Sequence, residues 1–276
     1  MELLTYKDIS DFLRGCGEEK SEYTILALET LGIPRQTLLL HPERQVKSAA
    51  QKLLYENFEK FKNGTPLQYV LGKWEFLGRD YNVGDGVLIP REDTGAVIEL
   101  AAEMLSDIQN KTFADLGSGS GCIAVTLACD YKMSGFAVER SEKAFSYLSK
   151  NIKMAEGRVD SLLGDMFSKE ILEKLPRLDL VISNPPYITK EEMQGLDKRV
   201  LNEPKEALFG GEDGLDYYRE IARVYKDKLK VGAPICFEVG FRQADDVLEI
   251  LKNEGYKNPQ EKKDFSGKRR AVGAFK

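Results

Sequence analysis

Apolar positions recur along this chain in two rhythms, and the rhythm changes near residue 65 and again near residue 90. In YKDISDFLRGCG, SEYTILALETLG and SAAQKLLYENFEKFKNG they return every three or four residues, which predicts amphipathic helices. Gly17, Gly32 followed by Pro34, and Gly64 supply the stops, so residues 1–64 are expected to form a small helical domain. From 65 to 89, TPLQYVLGKWEFLGRDYNVGDGVLI, apolar and aromatic residues alternate between glycines at 72, 78, 84 and 86. That is a hairpin pattern, read as a β-hairpin linker in which Trp74 and Phe76 pack rather than bind.

Over residues 90–276 the two rhythms alternate. KTFADLG, GFAVER, RVDSLLGD, LDLVIS and APICFEVG read as strands, and TGAVIELAAEMLSDI, GCIAVTLACDY, EKAFSYLSKNIKMAEG, DYYREIARVYKDKLK and QADDVLEILKNEG read as helices. Such alternation predicts an α/β fold, a doubly wound sheet with helices on both faces.

Composition narrows the function classes. A hydrophobic fraction of 42% and a charged fraction of 31% belong to a globular chain able to bury a sizeable core. The net charge of −5 gives no global basic field for nucleic acid or an anionic membrane. No apolar run is long enough to span a bilayer, and MELLTYKDIS is not a signal peptide, so a cytoplasmic location without membrane attachment is expected. Cys16, Cys122, Cys129 and Cys236 are scattered with no CxxC spacing, and His41 is the single histidine. Free thiols and no metal site are expected.

The strand ends carry the candidate chemistry. The first runs into DLGSGSGCIAV, in which Asp115 ends the strand and Gly117, Ser118, Gly119, Ser120 and Gly121 form a turn ahead of a helix. Glycines there let the backbone approach a ligand, in the crevice where open α/β sheets bind. The dinucleotide spacing fails at Cys122, and no Lys-Ser or Lys-Thr completes a phosphate loop. The second strand ends at Glu139, an acid suited to both hydroxyls of a ribose, though a surface glutamate would look the same in isolation. After the third come Asp165 and Met166, suited to an adenine edge and its face, or to a plain turn. The fourth ends in Asn184, Pro185, Pro186 and Tyr187. Neither proline can donate to a ladder, and each pushes the residue before it into extended backbone, so this loop is stiff. It presents an amide, fixed carbonyls and an aromatic face, a set that suits gripping a flat NH2-bearing group.

This series resembles the Rossmann-like class I S-adenosylmethionine-dependent methyltransferases. Asn-Pro-Pro-Tyr resembles their amino-group branch, which includes DNA adenine-N6, cytosine-N4 and glutamine-N5 enzymes. PLQYVLGKWEFLGRDYNV, VLIPREDT, NEPKEALFGGEDGLDYYREI and FEVGFRQADDVLEIL then resemble the release factor glutamine methyltransferase family, often called HemK or PrmC, over nearly the whole chain. The resemblance implies methyl transfer from S-adenosyl-L-methionine, leaving S-adenosyl-L-homocysteine, to the glutamine of the Gly-Gly-Gln loop of class 1 release factors. It also implies release factor docking by residues 1–64, a monomer, and no direct nucleic-acid partner. Cofactor contacts fall on Asp115, Gly117 to Gly121, Glu139, Asp165, Met166 and Asn184, and glutamine recognition on Asn184 to Tyr187. A DNA adenine-N6 methyltransferase using the same tetrapeptide is the alternative; it would call for a basic groove, and only Lys268, Arg269 and Arg270 cluster. The family's usual Pro-Arg-Pro-Glu/Asp-Thr-Glu stands here as Pro90, Arg91, Glu92, Asp93, Thr94 and Gly95; Gly95 removes a carboxylate from a segment the resemblance places near the pocket, so the family's contacts there are not carried over.

Overall fold

The structure, a computed structural model, describes residues 3–105, 107, 109–197 and 199–276. It comprises two units, Met1–Lys73 with Lys198–Asn202, and Trp74–Asp197 with Glu203–Lys276.

The first unit contains α1 (Tyr6–Arg14), α2 (Lys20–Leu31), α3 (Arg35–Leu40), α4 (Ser48–Lys62) and α5 (Leu67–Leu71). A capping box opens α1: the Thr5 hydroxyl accepts from the Asp8 N–H and the Asp8 carboxylate accepts from Thr5. Left-handed Gly32 closes α2. Ile9, Leu13, Leu26, Leu54 and Phe61 are buried within the unit. Residues from much later in the chain complete it. The Arg199 guanidinium lies 4.2 Å from the Phe61 ring centroid, and Asn202 Nδ2 donates to the Gly64 carbonyl at 2.7 Å. The helix α5 corrects the sequence reading, which placed residues 65–89 wholly in hairpin language. Leu67, Tyr69 and Leu71 alternate, but Leu67, Val70 and Leu71 also share a helical face. Pro66 at the N-cap and left-handed Gly72 at the C-cap favour the helix.

The hairpin itself is β1 (Lys73–Phe76) and β2 (Arg79–Asn82). Leu77 and Gly78 both have positive φ, 46° and 76°, the two-residue turn whose twist matches the strands it joins. Phe76 and Tyr81 are buried edge to face, and Trp74 packs on the same core.

The second unit holds a seven-stranded sheet. Its strands are β3 (Thr112–Leu116), β4 (Ser134–Glu139), β5 (Val159–Leu163), β6 (Leu180–Ser183), β7 (Pro234–Glu238), β8 (Lys257–Lys263) and β9 (Arg269–Phe275). Their order is β5-β4-β3-β6-β7-β9-β8. The first five are parallel, and β9 runs antiparallel to both its neighbours. The helices are α6 (Gly95–Met104), α7 (Cys122–Tyr131), α8 (Glu142–Asn151), α9 (Lys169–Lys174), α10 (Asp216–Tyr225) and α11 (Ala244–Asn253). One face buries Phe113, Leu180, Ile182 and Cys236 against α6 and α7. The other buries Ala114, Val181, Ile235 and Phe237 against α10 and α11. From β3 the chain steps outward to β4 and β5, then returns to β6 on β3's other side. The strand order therefore reverses between β3 and β6, where open α/β sheets bind ligands.

All four cysteines are free thiols, with Cys122 and Cys236 buried. Among the described residues, no group of three or more His, Cys, Asp or Glu is placed to hold a metal ion, and no helix is long and apolar enough to cross a membrane.

Candidate active site

The turn after β3 sits at the reversal. Gly117, Gly119 and Gly121 have φ of 70°, 55° and 82°, backbone that side chains with a Cβ rarely adopt. The N–H groups of Gly117 and Ser118 donate to the Val138 carbonyl at 2.9 and 3.0 Å, which ties the turn to β4. Gly121 is the N-cap of α7, and a Cβ there would lie 2.6 Å from Leu148 Cδ1. Glu139, at the end of β4, completes the cradle: its Oε2 accepts from Gly119 N at 2.9 Å and its Oε1 from Ser141 N at 2.8 Å. A carboxylate offers about four lone-pair positions, so two remain for a ligand.

Asp115 is fully buried beneath this turn, and among the described residues neither carboxylate oxygen has a hydrogen-bond partner. Burial pushes its pKa up to about 7, with the Glu139 carboxylate adding to the effect.

After β5, exposed Asp165 accepts from the Phe167 N–H at 2.9 Å, and buried Met166 is held by the Tyr225 hydroxyl on its carbonyl. At the end of β6 the Ser183 hydroxyl donates to the Leu116 carbonyl at 2.6 Å, locking the two strands that flank the reversal. Asn184 follows, its Nδ2 3.4 Å from Thr94 Oγ1. The next residues are gripped through their backbone. Tyr187 O accepts from Gln243 Nε2 at 3.0 Å, Ile188 N donates to Leu208 O at 2.9 Å, and Gly210 N donates to Ile188 O at 3.0 Å. A Cβ on Gly210 would lie 2.5 Å from the Pro186 carbonyl, and one on Gly214 2.3 Å from the Tyr187 carbonyl, so glycine is required for this approach.

A cavity of about 490 Å3 opens over these strand ends. Of the residues singled out from sequence, Gly117, Ser118, Gly119, Ser120, Glu139, Asp165, Met166, Asn184 and Pro186 line it. Asp115, Gly121, Pro185 and Tyr187 do not: Asp115 and Gly121 support the turn from beneath, Pro185 is buried, and Tyr187 is half-buried against the core on the α10 side. The segment set aside for its departure at Gly95 does take part, since Pro90, Arg91 and Thr94 line the cavity. A Cβ on Gly95 itself would meet only Leu77, at 3.9 Å. Sequence reasoning also passed over Glu203, whose buried carboxylate pairs with Arg91 and accepts from Ile89 N at 3.0 Å. Glu238 and Gln243 were missed as well. The available signal was an acid ending the apolar run ICFE, the same signal that drew attention to Glu139.

A parallel sheet reversing beside a glycine turn, with an acid after the next strand and Asn-Pro-Pro-Tyr across the reversal, is the class I methyltransferase fold. The catalytic domain of hMettl16, solved with an RNA hairpin, superposes at a TM-score of 0.59 over 84% of each chain at 15% identity, a likeness of fold alone. The family description "Methyltransferase small domain" matches residues 91–214, and "PrmC N-terminal domain" matches residues 5–72. A release factor glutamine methyltransferase of Fusobacterium nucleatum is 34% identical over 252 residues, 90% of this chain and 71% of that one. One from Bacillus cereus is 34% identical over 248 residues, 88% of this chain and 87% of that one. The chain belongs to the release factor glutamine methyltransferase family, and it is a methyltransferase.

Proposed function

We propose that this enzyme transfers a methyl group from S-adenosyl-L-methionine to the side-chain N5 of the glutamine in the Gly-Gly-Gln motif of class 1 peptide-chain release factors, and so serves translation termination. The observation that carries the reading is the placement of Asn184 on one cavity with the glycine turn and Glu139. The cradle fits the cofactor on its own terms: left-handed glycines leave the backbone bare, and Glu139 keeps acceptor positions for a ribose diol. Met166 and Phe167 supply an apolar wall for a purine ring. When bound, the cofactor supplies a methyl on a positive sulfur, already activated for transfer.

The chain's own task is the glutamine amide, whose nitrogen lone pair is delocalised into its carbonyl. Asn184 Oδ1 and the Pro185 carbonyl accept its two N–H bonds, orient the nitrogen and oppose delocalisation. Positioning of this kind is worth about 7–11 kcal/mol of barrier at best, which gives the stiff Pro185-Pro186 backbone its purpose. The nitrogen becomes acidic as it is methylated, so no strong base is needed beforehand. Tyr187 contributes through its backbone, which anchors the loop to Gln243.

The test is transfer of labelled methyl to purified release factor and, in parallel, to duplex DNA. Label on the Gly-Gly-Gln glutamine, reduced about 10²-fold or more in Asn184→Ala, is the expected result. Label on DNA alone would replace this reading with the adenine-N6 one.

A further inference from the structure

Asn151, the last residue of α8, carries a polar side chain and is fully buried. It fills every hydrogen-bonding position an amide has. Its Oδ1 accepts from Asn82 N at 2.9 Å and from Asn82 Nδ2 at 2.8 Å. Its Nδ2 donates to the Asn82 carbonyl at 3.0 Å and to the Ser120 carbonyl at 2.9 Å. Turning the amide over would set Oδ1 against two carbonyls and Nδ2 against two donors, so one orientation alone satisfies the site. Three of the bonds fix the end of β2. The fourth reaches into the glycine turn.

In that turn Gly119 N is held by Glu139, and Gly121 N donates to the Ser118 carbonyl at 2.7 Å. The Ser120–Gly121 peptide is therefore bonded on both sides, through its N–H within the turn and through its carbonyl to Asn151. Glu139 stands just before α8 and Asn151 ends it, so the two ends of this helix hold adjacent residues of the turn. Leu148, on the same helix, fills the space a Cβ on Gly121 would take.

Another stretch of the cavity lining rests on the same helix. Lys143, Tyr147 and Asn151 are spaced by four and share a face of α8. The chain from Asn82 to Gly86 lies along that face. A Cβ on Gly84 would lie 2.3 Å from Tyr147 Oη, one on Gly86 2.6 Å from Lys143 Cδ, and Asp85 pairs with Lys143 at 2.7 Å. Gly86 begins the stretch that brings Leu88, Pro90, Arg91 and Thr94 to the cavity, which Ser120 lines from the turn. A buried polar group with all its partners in place specifies one arrangement, because any other leaves groups unpaired. We infer that Asn151 is a positioning residue for the cofactor, holding the glycine turn and the stretch from Gly86 to Thr94 in one fixed relation before the cofactor binds. The inference rests on reading this cavity as the S-adenosylmethionine site, and it is indifferent to which substrate receives the methyl. A turn ordered in advance need not be ordered on binding, so the loss of Asn151 falls on affinity rather than on the transfer step.

Binding of S-adenosylhomocysteine to the whole chain, followed by calorimetry, is the test. Asn151→Asp keeps the bonds that Oδ1 accepts and loses both donations, and Asn151→Ala loses all four. Both are expected to weaken binding about tenfold or more. With release factor as substrate, the KM for S-adenosylmethionine should rise by a similar factor while kcat stays within about twofold. Asn82→Ala, which leaves the Ser120 bond in place, is expected to bind within about twofold of the natural chain. Tyr256→Phe is the stability control: it removes a buried hydrogen bond to the Ala222 carbonyl on the α10 side of the sheet and should leave affinity unchanged. Should both Asn151 variants fail to fold, the natural chain labelled with 15N-asparagine gives a second reading. The Asn151 NH2 signals, recognised by their proximity to Asn82, are expected to shift when S-adenosylhomocysteine is added. Folded Asn151 variants that bind as the natural chain does, an equal loss in Tyr256→Phe, or Asn151 signals unmoved at saturation would each overturn the inference. A natural chain that binds no S-adenosylhomocysteine would instead remove the cofactor reading itself, and the inference with it.

Discussion

Asp115 combines a charge-bearing group with complete burial and no hydrogen-bond partner among the described residues. Its folded pKa of about 7 lies above the ordinary 3.8, so the folded chain binds a proton that the unfolded chain has already released. Its contribution to stability is full below the unfolded value and is lost as pH rises through the folded one. Asp115→Asn, which stays neutral, is therefore expected to change stability little near pH 4 and to become progressively stabilising up to about pH 7. Urea unfolding of both chains across that range measures the difference. At this scale the three glycines were legible by residue type, since they adopt positive φ, and Glu139 by its place about twenty residues after the turn, which it reaches. Asp115 looked like a ligand-binding acid because a strand-terminal acid reads the same whether it faces a cavity or lies under a turn. Only the pleat decides which, and it decides in the same way for Glu238.

Among the elements, the loop from Glu203 to Gly214 acts on Asn-Pro-Pro-Tyr almost entirely through backbone. Gln243 adds to the grip, its Nε2 donating to Tyr187 O at 3.0 Å and 3.4 Å from Gly214 O, while its Oε1 accepts from Gly240 N at 3.1 Å. Gly210→Ala places a methyl against the Pro186 carbonyl, which must move or strain; a loss of about 1–3 kcal/mol in stability is expected. Activity should fall further than stability alone accounts for, read as kcat at a temperature where the variant stays folded. Gln243→Leu keeps the bulk and removes the bonds, and should lower kcat while binding of S-adenosylhomocysteine by calorimetry stays near that of the natural chain. The inner parallel strands β3, β4, β6 and β7 could be read from their apolar runs because both their faces are largely buried, and the edge strand β5 from a shorter run. The strand β8, KNPQEKK, could not, since almost all of it is exposed and it has no apolar residue to alternate. The short α5 was hidden because a five-residue run satisfies both periods.

For the molecule as a whole, contiguity in sequence misleads about its parts. Arg199 and Asn202 belong to the helical unit, although the chain on either side of them builds the sheet unit. Arg199 caps the Phe61 ring and pairs with Glu19. Arg199→Ala is expected to cost the helical unit about 1 kcal/mol, visible as faster amide exchange in α2 and α4 with no change in β3 to β7. A periodicity reading assigns residues to the nearest rhythm and has no means of lending a short run of them to a partner more than a hundred positions back. The sheet shows the same disregard for chain order. β7 is buried between β6 and β9, yet β9 follows it by some thirty residues and β8 pairs only with β9. On a ribosome, β7 must wait as an open edge until β9 emerges. The lysines, Pro259 and irregular register of β8 are made before β9, so the shield exists before the strand it shields.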